Sequence, residues 1–351
     1  MLHFENDYNA MCHPIILEKM VQHATLRMSG YGDDEICKHC IDMIRKLCEN
    51  DSLSVHFLAG GTQSNLITIT ASLRPYQCVI AAESAHIFEH ETGAIEAGGH
   101  KILTVPAVDG KITAMQIERV ADSHFNAVGM SPEHTVQPKL VYISFSTELG
   151  TIYTKAELEA IRAVCDRFGL FLYIDGARLG YGLTAADCDV TIADIARLSD
   201  AFYIGGTKQG MLYGEAVVIS NPAIAMDFRY MVKQRGGMLA KTWLVALQFL
   251  ALLEDNLYFT LAKQANSFAD EIRGYLLKHN VKIPVSNRTN QVFAILPEVV
   301  LKRISGQLVL TDWARVDSEH RMVRFCTSWS TTTDDINNLK IVLSDGLTDI
   351  V

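Results

Sequence analysis

Short apolar runs of strand length recur along the chain: "SVHFLA", "CVIAAE", "KILTVP", "PKLVYIS", "LFLYI", "AFYIGG" and "GEAVVIS". Several alternate with segments whose apolar residues follow helical spacing, which predicts an α/β fold around a mostly parallel sheet. The clearest unit is "TKAELEAIRAVCDRFGLFLYIDGARLGYG". Thr154 and Glu157 form a T-x-x-E capping box, and Ala156, Leu158, Ile161, Val164, Cys165 and Phe168 mark one helical face. Gly169 ends that helix. The continuous apolar run after it reads as a parallel strand covered on both faces, with Asp175 at its carboxyl end. Beyond Met238 the pattern changes to long helical runs, then to short strands around "VFAIL" and "MVRFCTSW", which predicts a smaller α+β portion.

Composition narrows the class without changing the picture. The 351 residues are 49% hydrophobic and 20% charged, as in globular proteins, and no repeat or low-complexity tract interrupts them. A net charge of −9 with no basic stripe argues against a nucleic-acid or membrane surface. The first twenty residues lack the charged and apolar regions of a signal peptide, and the apolar runs look too short to span a bilayer, so a cytoplasmic location is expected. Eight scattered cysteines agree with that compartment. The "CKHC" at Cys37–Cys40 has no second pair to complete a zinc set; buried thiols on a helix are the plainer reading, and no metal is expected.

In open α/β sheets ligands collect at the carboxyl ends of strands. There the sequence places Gly60-Gly61-Thr62, Glu83-Ser84-Ala85-His86, Asp175 and Lys208. The segment "FLAGGTQSNL" runs from strand into helix through two glycines. It is either an ordinary βα turn or a phosphate cup in which free N–H groups and a helix dipole meet an anion. It matches neither G-x-x-x-x-G-K-[ST] nor G-x-G-x-x-G. Asp175 could cap a turn or hold a protonated ring nitrogen. Lys208, among Gly205, Gly206, Thr207 and Gly210, could be a surface charge or a desolvated amine of the kind Schiff-base chemistry needs. Phosphate cup, carboxylate and lysine in that order suggest pyridoxal phosphate.

These stretches, "AGGTQSNL", "AAESAHIFEHETGAIEAGGHKI", "YIDGARL" and "GGTKQGMLYGEAVV", resemble those of fold-type-I pyridoxal-phosphate enzymes. Within that group they are most similar to the low-specificity L-threonine aldolases and related β-eliminating lyases. "YGDDEI" and "MVRFCTSW" support the resemblance more weakly. It implies the aspartate aminotransferase fold: an N-terminal segment over 1–14 near the active site, a large cofactor domain with a mostly parallel seven-stranded sheet over 15–238, and a small α+β domain over 239–351. It further implies that Lys208 forms the Schiff base, Asp175 pairs with the pyridine nitrogen, and Gly61 and Thr62 hold the phosphate with help from Thr207. His86 is similar to the histidine that stacks on the ring, and Arg178 to an arginine beside the cofactor. Arg324 corresponds to the arginine that grips the substrate carboxylate, and Tyr31 to a further substrate contact. Asn6 stands where the family has a serine, and His134 is the nearest candidate for a second histidine near the substrate hydroxyl. Lys233, Arg235 and Lys241 are candidates for a basic residue that a neighbouring subunit extends to the phosphate. A homodimer or homotetramer with shared active sites is therefore expected.

The implied reaction is cleavage of threonine, allo-threonine or a related β-hydroxy amino acid to glycine and an aldehyde, with His86 or His134 as base. β-Elimination or transamination of another amino acid is the alternative. Non-catalytic cofactor binding and a nucleotide-binding module are further readings.

Overall fold

The computed structural model describes residues 1–129 and 131–348. It begins with a two-residue strand, β1 (Leu2–His3). Seven strands then build the central sheet: β2 (Ser54–Leu58), β3 (Gln77–Ala82), β4 (Lys101–Val105), β5 (Gln137–Ser144), β6 (Phe171–Asp175), β7 (Ala201–Gly205) and β8 (Glu215–Ile219). Their order in space is β2-β8-β7-β6-β5-β3-β4. Strand β8 pairs antiparallel with β2 and β7, and the other pairings are parallel. Every residue of β3, β7 and β8 is buried, as is every residue of β6 except Phe171. Helices on the faces leave no wet side, so these strands read as continuous apolar runs rather than alternating ones.

The helix that feeds β6 forms as its capping signals require. The Thr154 hydroxyl accepts from the Glu157 N–H at 3.2 Å, and the Glu157 carboxylate accepts from the Thr154 N–H at 2.8 Å. Gly169, at φ 62°, closes the helix Lys155–Phe168 in the left-handed conformation that glycine tolerates.

The C-terminal part carries β9 (Gln291–Pro297), β10 (Leu308–Val309), β11 (Thr311–Arg315) and β12 (His320–Cys326). An antiparallel sheet has the order β11-β12-β9, and β1 pairs in parallel with β10. A second hydrophobic core lies here, with Ile272 and Leu276 from the helix Leu257–Lys278, Val292 and Leu296 from β9, and Phe325 from β12. Phe4, from the other end of the chain, is buried in the same core. A buried side chain of this size contributes roughly 1.5–3 kcal/mol, enough to hold the N-terminal segment down.

The apolar stretch Trp243–Lys278 has the length and hydropathy of a membrane span. It is nevertheless broken at Asp255 and Asn256, both in the left-handed conformation, into the helices Trp243–Leu253 and Leu257–Lys278. The first helix packs into the main core, with Val245 through Leu253 buried. The second is 22 residues long, or ~33 Å. Near its start the Tyr258 hydroxyl donates to the Gly205 carbonyl at 2.8 Å, and farther along its side chains enter the second core.

One consequence of the topology places the site. The carboxyl ends of β2, β3, β5, β6 and β7 share an edge of the sheet. Because β8 runs the other way, its first residue, Glu215, comes to the same edge, opposite Gly205 and Leu58.

Candidate active site

At that edge lies a cavity of about 300 Å³ whose walls include Gly61, Thr62, His86, Asp175, Arg178 and Lys208. After β2 the chain turns at Gly60 into the helix Gly61–Ser72, whose first backbone bond runs from the Ser64 N–H to the Gly60 carbonyl. The N–H groups of Gly61, Thr62 and Gln63 make no hydrogen bond within the described chain. Free donors and the positive end of a helix dipole therefore face the cavity, an arrangement that receives anions.

Asp175 ends β6 and is buried in the cavity wall, where four donors reach its carboxylate. Its Oδ1 accepts from the Tyr203 hydroxyl at 2.6 Å and the Ala177 N–H at 2.9 Å, and its Oδ2 accepts from the Tyr142 hydroxyl at 2.6 Å and the Asn65 amide at 3.0 Å. Burial alone would raise its pKa. The nearby His86 charge and the two tyrosine hydroxyls more than offset burial and leave it below the ordinary aspartate value. The carboxylate stays ionised inside the protein.

Lys208 follows β7 in a single turn, Thr207–Gln209, and Gly210, at φ 105°, reverses the chain behind it. Burial lowers the lysine pKa and the Arg178 charge lowers it further, while Asp7, Asp175 and Glu215 oppose them without cancelling them. A lysine in this setting gives up its proton more readily than one in water, as a nucleophilic amine must. The turn is held from below: the Glu215 carboxylate accepts from the Gly206 N–H and the Thr207 hydroxyl, each at 2.8 Å. The Thr207 hydroxyl also accepts from the Gly214 N–H at 3.0 Å, so it is committed to the turn.

His86 opens a short helix after β3, and its Nδ1 lies 2.9 Å from the Glu91 carboxylate. The same Glu91 oxygen accepts from the Asn65 amide at 2.7 Å, which links the histidine to Asp175. Burial works against a charged imidazole, yet the bond to Glu91 and the Asp175 charge raise its pKa. Arg178 binds Asp7 through two parallel bonds, Nε to Oδ2 at 2.7 Å and Nη2 to Oδ1 at 2.9 Å. Asp7 is buried, also accepts from Asn290 at 2.9 Å, and is held well below the usual carboxylate range by the charges of Arg178 and Lys208.

Gly61, Thr62, His86, Asp175, Arg178, Thr207 and Lys208 thus meet in one cavity. Asn6, Tyr31, His134 and Arg324 lie outside it, as do Lys233, Arg235 and Lys241, expected to act on a neighbouring subunit. The Asn6 side chain accepts from the Tyr8 N–H in a local turn, and its neighbour Asp7 takes the buried position. His134 is exposed just before β5 begins, whereas the cavity lies at the far end of that strand. Eight residues of extended chain separate the two, ~26 Å. Tyr31 borders a separate depression with Val55, His56 and Arg229. Arg324 is pinned by Gln291, the Glu5 carbonyl and Thr311, and it lies 5.2 Å from the Trp313 ring centroid.

Sequence reasoning passed over Asp7, Glu91, Glu148 and Glu215. Glu148 was open to the rule that exposed Asp175, because it too follows a buried strand. Glu215 begins a strand, so that rule misses it, and its only mark is a carboxylate opening a buried apolar run.

The description "Beta-eliminating lyase" belongs to the family whose model matches residues 7–298. A low specificity L-threonine aldolase of Pseudomonas sp. is 32% identical over 281 residues, 79% of each chain. A threonine aldolase structure from Leishmania major superposes with a TM-score of 0.96 at 40% identity, covering 99% of this chain and 100% of the other. Serine palmitoyltransferase of Sphingomonas wittichii, 12% identical, aligns at a TM-score of 0.73 over 98% of this chain and 86% of its own, and shares the fold. The architecture is that of fold-type-I pyridoxal-phosphate enzymes. With its lysine, carboxylate and open helix end gathered at one edge of that sheet, the chain belongs to the beta-eliminating lyase family.

Proposed function

We propose that this protein is a pyridoxal-phosphate-dependent aldehyde-lyase that cleaves L-threonine or a related β-hydroxy amino acid to glycine and an aldehyde. The observation that carries the reading is the meeting of Lys208, Asp175 and the unbonded N–H groups of Gly61 and Thr62 in one cavity. The names of the Pseudomonas and Leishmania relatives supply the substrate class.

The donor set fits the cofactor. Lys208 would hold its aldehyde carbon, and Asp175, ionised and fixed by four donors, would keep its ring nitrogen protonated. The N–H groups of Gly61 and Thr62 would hold the phosphate, while Thr207 steadies the turn. His86 would lie against the ring. When bound, pyridoxal phosphate supplies an electron sink for the pair released as a bond to the substrate's Cα breaks. Arg178 brings a guanidinium to the cavity wall; its Nε and Nη2 are taken by Asp7, leaving Nη1 for a carboxylate. The Arg324 Nη1 and Nη2 groups are engaged by Gln291, the Glu5 carbonyl and Thr311, while its buried Nε has no partner; Arg178 is favoured for the carboxylate because it lines the cavity.

A cytoplasmic homo-oligomer is part of the same reading. Tyr31 is half-exposed and away from its own cavity, so any contact with a substrate comes from a second copy.

The test is to incubate the enzyme with the cofactor and L-threonine. Glycine and acetaldehyde in equal amounts are expected; ammonia with a keto acid would replace this reading by elimination. A Lys208→Ala variant should lose both turnover and the borohydride-reducible absorbance.

A further inference from the structure

We propose that Glu148 is the catalytic base that takes the proton from the substrate's β-hydroxyl. The proposal rests on the function above and names the group that His134 cannot supply. Glu148 follows β5, next to the strand end that carries Asp175, and it lines the same cavity as Lys208. Its Oε1 accepts from the Ser144 hydroxyl at 2.7 Å and the His86 N–H at 3.0 Å. Those two bonds fix the carboxylate through Oε1, and among the described residues no group donates to its Oε2. Ser146 lines the cavity as well, and its buried hydroxyl has no partner. A fixed acceptor and an unmatched hydroxyl in one wall suit a ligand hydroxyl, which both donates and accepts.

The chemistry separates Glu148 from His86. His86 is biased toward its protonated form by Glu91, which suits a cation lying on a ring and makes it a weak base. Burial raises the Glu148 pKa, and Asp175 adds to this, so its carboxylate is more basic than one in water. In the step, the O–H proton passes to Glu148 and the oxygen's electron pair forms the aldehyde C=O. The Cα–Cβ bond breaks with its electron pair left at Cα, for which bound pyridoxal phosphate would supply the sink, and a proton from solvent completes glycine.

The experiment compares two reactions of the holoenzyme. Glu148→Gln keeps an acceptor for Ser144 and His86 but cannot take a proton. Its kcat on L-threonine should fall about 100-fold or more with little change in KM. Exchange of the glycine Cα proton in D2O, followed by NMR, should persist, because glycine has no hydroxyl to deprotonate. Cofactor absorbance and affinity should stay at wild-type values, and Glu148→Asp should recover part of the rate. Cleavage by Glu148→Gln within about fivefold of wild type would overturn the proposal; so would parallel loss of cleavage and exchange, which marks a structural role. A wild-type enzyme that exchanges glycine but cleaves no β-hydroxy amino acid would instead sink the function itself, and this proposal with it.

Discussion

Glu215 holds the lysine turn through two hydrogen bonds, and burial raises its pKa from an ordinary 4.5 to about 7. In the folded protein it keeps its proton to a higher pH than in the unfolded chain. Between these two values the folded state binds more protons, so stability falls as pH rises from about 4.5 to about 7 and is level beyond. The span corresponds to about 3 kcal/mol. Urea unfolding at about pH 5 and about pH 8 should therefore show a difference that Glu215→Gln reduces by about that amount. Equal pH responses in the two proteins would remove Glu215 as the titrating group. At this scale, Lys208 and Asp175 were legible because each follows an apolar strand beside glycines. Glu215 was not, since its arrival at the site depends on the direction of β8.

At the scale of elements, the turn after β6 sets how closely β6 and β7 approach. A Cβ added to Gly176 would lie 1.7 Å from the Tyr203 carbonyl oxygen, so the two strand ends would have to separate and carry Asp175 away from Lys208. Gly176→Ala should cost about 3 kcal/mol or more and weaken cofactor retention, measured by urea unfolding and by absorbance after dialysis. Gly274, within the helix Leu257–Lys278, has no atom within 4 Å of an added Cβ. Gly274→Ala should stabilise by roughly 0.5–1 kcal/mol. If both variants unfold alike, close packing at Gly176 is not what fixes the strand ends. The helix Lys155–Phe168 was readable from Thr154, Glu157 and Gly169 because capping is local. The demand on Gly176 was not, because the obstructing atom belongs to another strand.

Across the whole molecule, residues at the start of the chain tie the two cores together. Phe4 is buried in the second core, the Cys326 N–H donates to the Phe4 carbonyl at 2.8 Å, and Asp7 joins Arg178 to Asn290. Asp7→Asn leaves a buried guanidinium without its counter-charge and should cost roughly 3–5 kcal/mol, whereas Asn6→Ala should shift stability by about 0.5 kcal/mol or less. Comparable urea midpoints for the two variants would contradict the pairing. Adjacent residues differ so much because only one points inward, a fact of tertiary position that "FENDYN" does not contain. What the sequence by itself determined was local: apolar runs long enough for buried strands, capping boxes, a glycine-flanked lysine and a carboxylate at strand ends. Those features depend on hydrogen bonds and packing within a few residues. The tertiary structure decided which groups share a cavity. It brought Glu148 and Glu215 in, set Asp7 against Arg178, and left His134 at the opposite edge, because strand order and direction fix which end of each element faces the site.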